Sequence, residues 1–218
     1  MKKIPTLFKR VFSPDHKTKT ILPEVTPGCE AVLEWRCIPT VKWDGACCAI
    51  INGEIYKRYD AKIGKDGKRK NPPEGAIPCQ PAPDPITGHW PHWVKCEVGN
   101  PADKYFLEAF VNWKEHTVCS KIWIDASKRK IISCEAIGVH WQSNPYRIEN
   151  DTLEIHGDDI VETDCLVNAE GNITLESIRD HLSRTAIEGI VFWLDGQPLC
   201  KIKRSDFGFE WPVKSKED

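Results

Sequence analysis

The chain has 218 residues, 40% of them hydrophobic, and 30 Lys+Arg against 32 Asp+Glu give a formal net charge of -2. That length suits one well-buried domain, and the balanced charge excludes a globally basic nucleic-acid binder while leaving a local basic groove open. No apolar run is long enough to span a bilayer, and the start, MKKIPTLFKRVFSPDHK, lacks the apolar core and small-residue cleavage site of a secretory signal. The expectation is a soluble cytoplasmic protein, monomeric, without membrane contact.

Ten cysteines are scattered along the chain, and Cys47 and Cys48 are neighbours that would face opposite sides of a strand. Reduced, mostly buried thiols fit that spacing better than a disulfide scaffold. Cys79, His89, His92 and Cys96 have residue types that suit zinc, but they include no Cys-x-x-Cys pair and enclose a proline-rich loop, so ordinary loop packing is the competing reading.

In chain order, EWRCIPTVKWDGACCAIINGEIYKRYD reads as three short strands joined at Asp44-Gly45 and Asn52-Gly53, an antiparallel meander. Residues 71–101 are dense in proline and are expected to form a long structured loop packed on the domain through Ile86, Trp90 and Trp93. DKYFLEAFVNWKE carries apolar residues at near-helical spacing (Phe106, Ala109, Phe110, Trp113), with a strand over 105–111 as the alternative. KIWIDA, RKIISCEAIGVHW and DTLEIHG follow as strands. NITLESIRDHLSRTA has a helix-capping start and apolar Leu175, Ile178 and Leu182. EGIVFWLDGQPLCKIKRSDF closes as a hairpin around Asp195-Gly196. No internal repeat is visible. The fold class is α+β, antiparallel sheets flanked by segregated helices, in a single domain over 1–218 with residues 1–38 as an N-terminal extension.

Three polar insertions exceed what hairpins need. Lys42 and Asp44 stand at the first turn, Glu188 opens an otherwise apolar strand, and Lys201 and Lys203 share a strand face, where two like charges suit either an anion between them or, more commonly, a simple solvated face. Their order is informative: Lys42-Trp43-Asp44-Gly45, Arg58, Glu135, Glu188-Gly189, then Lys201-Ile202-Lys203. This series resembles the motifs of the covalent nucleotidyltransferases (DNA ligases, RNA ligases and messenger-RNA capping enzymes) over about Pro39 to Phe207. EAIGVHWQSNPY, IHGDD, EGIVFW and IPCQPAPDPITGHWPHW are more closely similar to the small single-domain 5′-to-3′ RNA ligases of the RNA ligase 1 family.

The resemblance implies an adenylation domain with an ATP-binding cleft between sheets. It implies an ATP-dependent RNA ligase joining 5′-phosphate and 3′-hydroxyl RNA ends through lysyl-AMP and AMP-capped RNA. Lys42 would be the nucleophile. Arg58 would touch the ribose or the acceptor phosphate, Glu135 would hold a ribose hydroxyl, and Lys201 and Lys203 would bind the α-phosphate. Asp44 and Gly45 complete the ATP-binding set, and Ile155 is the expected adenine-stacking side chain. Glu188, with Asp44 and Glu135, would hold Mg²⁺ (or Mn²⁺) through water. A free lysine has a pKa near ~10.4, so fewer than about one molecule in a thousand is neutral at pH 7, and Lys42 is expected to react poorly without divalent metal. About fifteen residues follow Lys203, too few for the oligonucleotide-binding-fold domain of DNA ligases and capping enzymes. A GTP-using guanylyltransferase and a non-catalytic nucleotide- or RNA-binding relative are the alternatives. A basic groove near Lys62, Lys65, Lys68, Arg69 and Lys70 would suit RNA, and a solvated loop is its bland counterpart.

Overall fold

A computed structural model describes residues 4–14, 19–63, 67–68, 70–85, 87–117 and 131–213. In chain order the strands and helices are β1 (Phe8–Phe12), β2 (Lys19–Val25), β3 (Ile38–Lys42), β4 (Ala46–Ile51), β5 (Glu54–Ala61), β6 (Ile77–Pro78), β7 (Trp90–Lys95), α1 (Lys104–Thr117), β8 (Ile131–Ile137), β9 (Thr152–Ile155), α2 (Leu175–Arg184), β10 (Gly189–Leu194) and β11 (Gln197–Lys203). The protein is α+β: its named strands pair antiparallel. Among the described residues no helix is long and apolar enough to cross a membrane. The chain forms two compact units, Asp44–Ile155 and Ile4–Trp43 with His156–Asp218.

The Asp44–Ile155 unit is a six-stranded sheet in the order β6-β7-β5-β4-β8-β9. Side chains alternate across a strand, so Cys48, Ile50, Ile55, Cys134, Ala136, Leu153 and Ile155 line one face. There they meet Phe106, Ala109, Phe110 and Trp113 from α1 in a continuous core. The other face carries a smaller cluster, Ala49, Ile51 and Trp93, and the polar residues considered below. The β4–β5 connection is a two-residue turn in which Asn52 (φ 52°) and Gly53 (φ 81°) are both left-handed, as a hairpin matching strand twist requires.

The Ile4–Trp43 and His156–Asp218 unit holds a three-stranded sheet, β11-β10-β3, and the β1–β2 ribbon. Short segments widen the sheet at both edges. Thr6 bridges Lys201 in parallel, and Ile160 bridges Thr40 antiparallel. Leu7, Phe8, Val32, Leu166, Ile178, Leu182, Ile190, Phe192, Cys200 and Ile202 form its core. Within the segment read as an N-terminal extension, Leu7 is fully buried and its N–H donates to the Lys201 carbonyl at 2.8 Å. Helix α2 starts on a reciprocal cap between Thr174 and Ser177. It ends against buried Arg204, whose guanidinium donates to the carbonyls of Leu182 and Thr185, a cation placed where the helix dipole favours one.

Several expectations change. Asp44-Gly45 is no hairpin: β3 pairs with β10, whereas β4 pairs with β5 and β8. The strand ends at Lys42, so Asp44 shares no strand face with it. Gly45 does not have the left-handed φ of a hairpin glycine. Its Cβ would lie 2.0 Å from the Ala136 carbonyl oxygen, so the position needs glycine for close approach. The strand alternative over 105–111 gives way to α1, whose apolar residues at helical spacing reach the core. The proline-rich stretch is not loop throughout, because Trp90–Lys95 forms β7. Pro91 is tolerated there: its carbonyl accepts from Cys79 N–H on the β6 side, so its missing donor costs no bond to β5. The hairpin at Asp195-Gly196 forms as expected, with φ of 50° and 73°. KIWIDA and Ile86 lie outside the described residues.

Candidate functional site

In the unit that carries Lys42, three strands bring the predicted residues side by side. Gly189 at the start of β10 is directly opposite Lys42 of β3 on one side and Lys203 of β11 on the other. Residues opposite one another share a face, so Lys42 and Lys203 flank a position with no side chain. That gap is enforced, because a Cβ on Gly189 would lie 2.1 Å from the Ile202 carbonyl oxygen. Glu188, 5% exposed, accepts from Lys42 Nζ at Oε2 and from Lys203 Nζ at Oε1. A buried carboxylate needs donors, and here it finds two amines. One step along, Val191 lies opposite Thr40 and Lys201, so Lys201 joins the same face. Burial, with Lys42 and Lys203 close by, pulls the Lys201 amine down from 10.5 to about 8.

The alternate residues Val41, Ile190, Cys200 and Ile202 point into the core, which makes the strands rigid supports. The Lys203 strand end is fixed by Asp206, 4% exposed, which accepts from Lys203 N–H at 2.9 Å and from Arg10 at 2.6 Å. Beyond Val191, Trp193 donates from Nε1 to Thr40 Oγ1 at 2.9 Å and lays its ring against Gly157. Trp43 Nε1 donates to Asp159 Oδ2 at 2.9 Å. Three amines against one carboxylate leave two positive charges in excess on a partly buried face, a site that attracts anions and presents an amine to them.

In the Asp44–Ile155 unit a second row crosses the face opposite α1. Cys47 stands opposite Glu135 in the β4–β8 ladder, and Arg58 reaches the Cys47 thiol from β5. Burial first, then the Glu135 carboxylate, push that thiol up to about 12, with Arg58 opposing. Glu154 lies opposite Glu135. Glu135 Oε1 accepts the Gly45 N–H at 3.2 Å. Tyr146 OH accepts the Asp44 N–H at 2.6 Å, and Gln142 Nε2 donates to the Gly45 carbonyl at 3.2 Å.

Of the predicted residues, Lys42, Glu188, Lys201 and Lys203 come together in one unit; in the other, Arg58 and Glu135 meet at Cys47 on one face, and Glu135 accepts the N–H of Gly45, which follows Asp44 in the chain. Ile155 does not join them. It is 5% exposed within the α1-side core, facing away from Glu135, and has no surface to offer a base. The cysteine-histidine group does not assemble either: among the described residues only Glu108, His140 and Asp151 bring three ligand atoms together. Instead His89 Nδ1 meets Asp60 at 2.6 Å and His92 Nδ1 meets the Trp90 carbonyl at 2.8 Å. Of the basic run, Lys65 and Arg69 lie outside the described residues, and Lys70 N–H donates to the Lys62 carbonyl at 3.1 Å.

Sequence reasoning gave no role to Tyr146 and Gln142, which lie in an irregular loop without periodic signal, although both belong to the segment EAIGVHWQSNPY that carries part of the resemblance. It also missed Val191 and Glu154, which strand parity could have found once the register was known. Comparison with protein-family models finds none that matches the chain, and comparison with curated proteins finds no matching relative.

Proposed function

We propose that the protein is an ATP-dependent RNA ligase of the covalent nucleotidyltransferase type, with Lys42 as the AMP-accepting nucleophile. One observation carries the reading: Lys42, Glu188 and Lys203 converge, with Lys201 alongside, in the order and spacing that the motif series requires. A lone lysine between solvated strands would need neither a buried carboxylate nor two companion amines.

In the first step the Lys42 Nζ lone pair attacks the α-phosphorus of ATP. The bond from that phosphorus to the bridging oxygen breaks and pyrophosphate leaves. Glu188 Oε2, already in contact with Nζ, is the acceptor placed to receive the amine proton. Lys201 and Lys203 offset negative charge growing on the α-phosphate oxygens, the electrostatic share that dominates phosphoryl transfer. In the second step a 5′-phosphate oxygen of RNA attacks the same phosphorus, the P–N bond breaks and Lys42 regains its proton. In the third the RNA 3′-hydroxyl attacks the capped 5′-phosphorus and AMP departs.

Glu188 in one unit, and Asp44 and Glu135 in the other, each offer oxygen donors, the chemistry that suits Mg²⁺. Both Glu188 oxygens already accept from amines, which fits a metal held through water rather than by the bare carboxylate. When bound, the ion supplies further neutralisation of phosphate charge. Arg58 and Glu135, on the face of the larger sheet opposite α1, are assigned to the nucleotide sugar or the acceptor phosphate. The substrate is RNA with 5′-phosphate and 3′-hydroxyl ends.

The test is intact mass after incubation with ATP and Mg²⁺, with GTP in parallel. The expected result is a gain equal to AMP, absent with GTP and absent in Lys42→Ala. An unchanged wild-type mass, or a gain that persists in Lys42→Ala, overturns the assignment.

A further inference from the structure

The connection between β8 and β9, residues 138–150, runs through an unusual backbone. Gln142, Ser143 and Asn144 have φ of 47°, 60° and 51°, and Arg147 has 55°. Left-handed conformations are ordinarily visited by single residues, with glycine the usual occupant. Three in succession without a glycine persist only where surrounding contacts over-determine them.

Those contacts are present at the base of the loop, inside it and at its tip. At the base, buried Asp151 accepts the His140 N–H at 3.0 Å through Oδ1 and meets His140 Nδ1 at 2.7 Å through Oδ2. The His140 ring stacks on Tyr105 at 3.6 Å. Gly138 is held to glycine, since its Cβ would lie 2.6 Å from Asp151. Inside, the Asn144 side chain bonds both the carbonyl and the N–H of Ile148, at 2.9 and 3.1 Å. At the tip, Tyr146 and Gln142 reach Asp44 N–H and Gly45 C=O.

Asp44 and Gly45 begin two residues after Lys42. Their backbone is held by four constraints: the Tyr146 hydroxyl, the Gln142 amide, the Glu135 carboxylate and the close approach of Gly45 to Ala136. Only Glu135 has a place in the motif series. We infer that residues 138–150 form a strap whose purpose is to fix the chain leaving the nucleophile, and that Tyr146 and Gln142 are positioning residues for AMP transfer to Lys42. The inference rests on the adenylyl-transfer reading above. Attack needs the reacting atoms within roughly 3–3.5 Å and aligned, and a displacement of about 1 Å costs on the order of 100-fold in rate. A strained loop spent on two backbone groups that follow the nucleophile by two and three residues in the chain is the kind of local cost that such alignment repays.

The experiment follows labelled AMP incorporation over a range of ATP concentrations in wild type, Tyr146→Phe and Gln142→Ala, together with joining of chemically pre-adenylylated RNA, in which Lys42 is not the nucleophile. Tyr146→Phe is expected to lower the maximal incorporation rate about 10-fold or more, and Gln142→Ala about 3-fold. The half-saturating ATP concentration stays within about 2-fold and joining of pre-adenylylated RNA is unchanged. A purely structural role would lower both reactions together, and that outcome overturns the inference, as does a maximal rate unchanged in both variants. Should Tyr146→Phe fail to fold, Gln142→Ala at its exposed position decides alone. A wild type that takes no label defeats the adenylyl-transfer reading and the strap with it; labelled wild type with equally labelled variants defeats the strap only.

Discussion

Gly189 lies directly opposite Lys42 in the β3–β10 ladder, and the space where its side chain would stand is closed by the Ile202 carbonyl oxygen, 2.1 Å from an ideal Cβ. Gly189→Ala must therefore push β10 away from β11 at the point where Lys42 and Lys203 converge. The expected cost is about 2–4 kcal/mol of stability, read from urea denaturation, with loss of adduct formation. Gly45→Ala, facing the Ala136 carbonyl at 2.0 Å, should behave alike. Variants as stable as wild type would show that neither glycine is needed for close approach.

Glu188→Gln keeps the shape of the side chain but leaves Lys42, Lys201 and Lys203 without their carboxylate. AMP incorporation is expected to fall by about 100-fold or more, the usual size of a lost proton acceptor, while the protein stays folded. Labelled-ATP gels measure it, and a rate within about 3-fold of wild type would remove Glu188 from the chemistry.

Lys201 sets a pH signature. Its amine sits at about 8 in the folded protein against an ordinary 10.5, chiefly through burial. Between those values the unfolded chain binds the extra proton, so stability rises with pH across that window and is lowest below about 8, where the native state holds the charge. Lys201→Met should remove that rise and melt a few degrees higher at pH 7, on the order of 2–4 °C, yet label poorly. ATP binding at pH 8 should take up protons in wild type and not in the variant, because phosphate favours the charged amine. Calorimetry in buffers of different ionisation enthalpy reads this directly, and proton release would contradict it.

The thiols differ in reach. Burial raises Cys47 and Cys96 to about 12 and lifts Cys48 and Cys200 as well, whereas Cys165 is exposed. Among the described cysteines, brief alkylation of the native protein at pH 7.5 should mark Cys165 first, because the thiolate is the reactive form. Peptide mapping that finds Cys47 or Cys96 labelled equally fast would show those strands to be open.

In the unit of Ile4–Trp43 and His156–Asp218 the predicted residues were legible because their chemistry is written as residue types at fixed separations: Glu188 ahead of an apolar strand, and Lys201 and Lys203 two apart. The turn signals at Asn52-Gly53 and Asp195-Gly196 were legible for the same local reason. Asp44-Gly45 misled because glycine has two uses. A dipeptide cannot tell whether glycine supplies a left-handed turn or merely makes room for a neighbouring carbonyl. Ile155 misled because strand parity has meaning only against a register, and the Glu135–Glu154 pairing that turns Ile155 inward links residues 19 apart in sequence. Tyr146 and Gln142 act through backbone groups, which leave no trace in composition.

The amino-terminal edge of the smaller sheet has a practical consequence. Lys201 receives a hydrogen bond from Leu7 and gives one to the Pro5 carbonyl, at 2.8 and 3.0 Å, so the strand that carries Lys201 and Lys203 is stitched to residues 5–7. Trimming the first seven residues, a routine step in preparing shortened versions for crystallisation, would unpick that seam and empty the pocket that Leu7 fills, producing a protein that looks inactive for reasons unrelated to its chemistry.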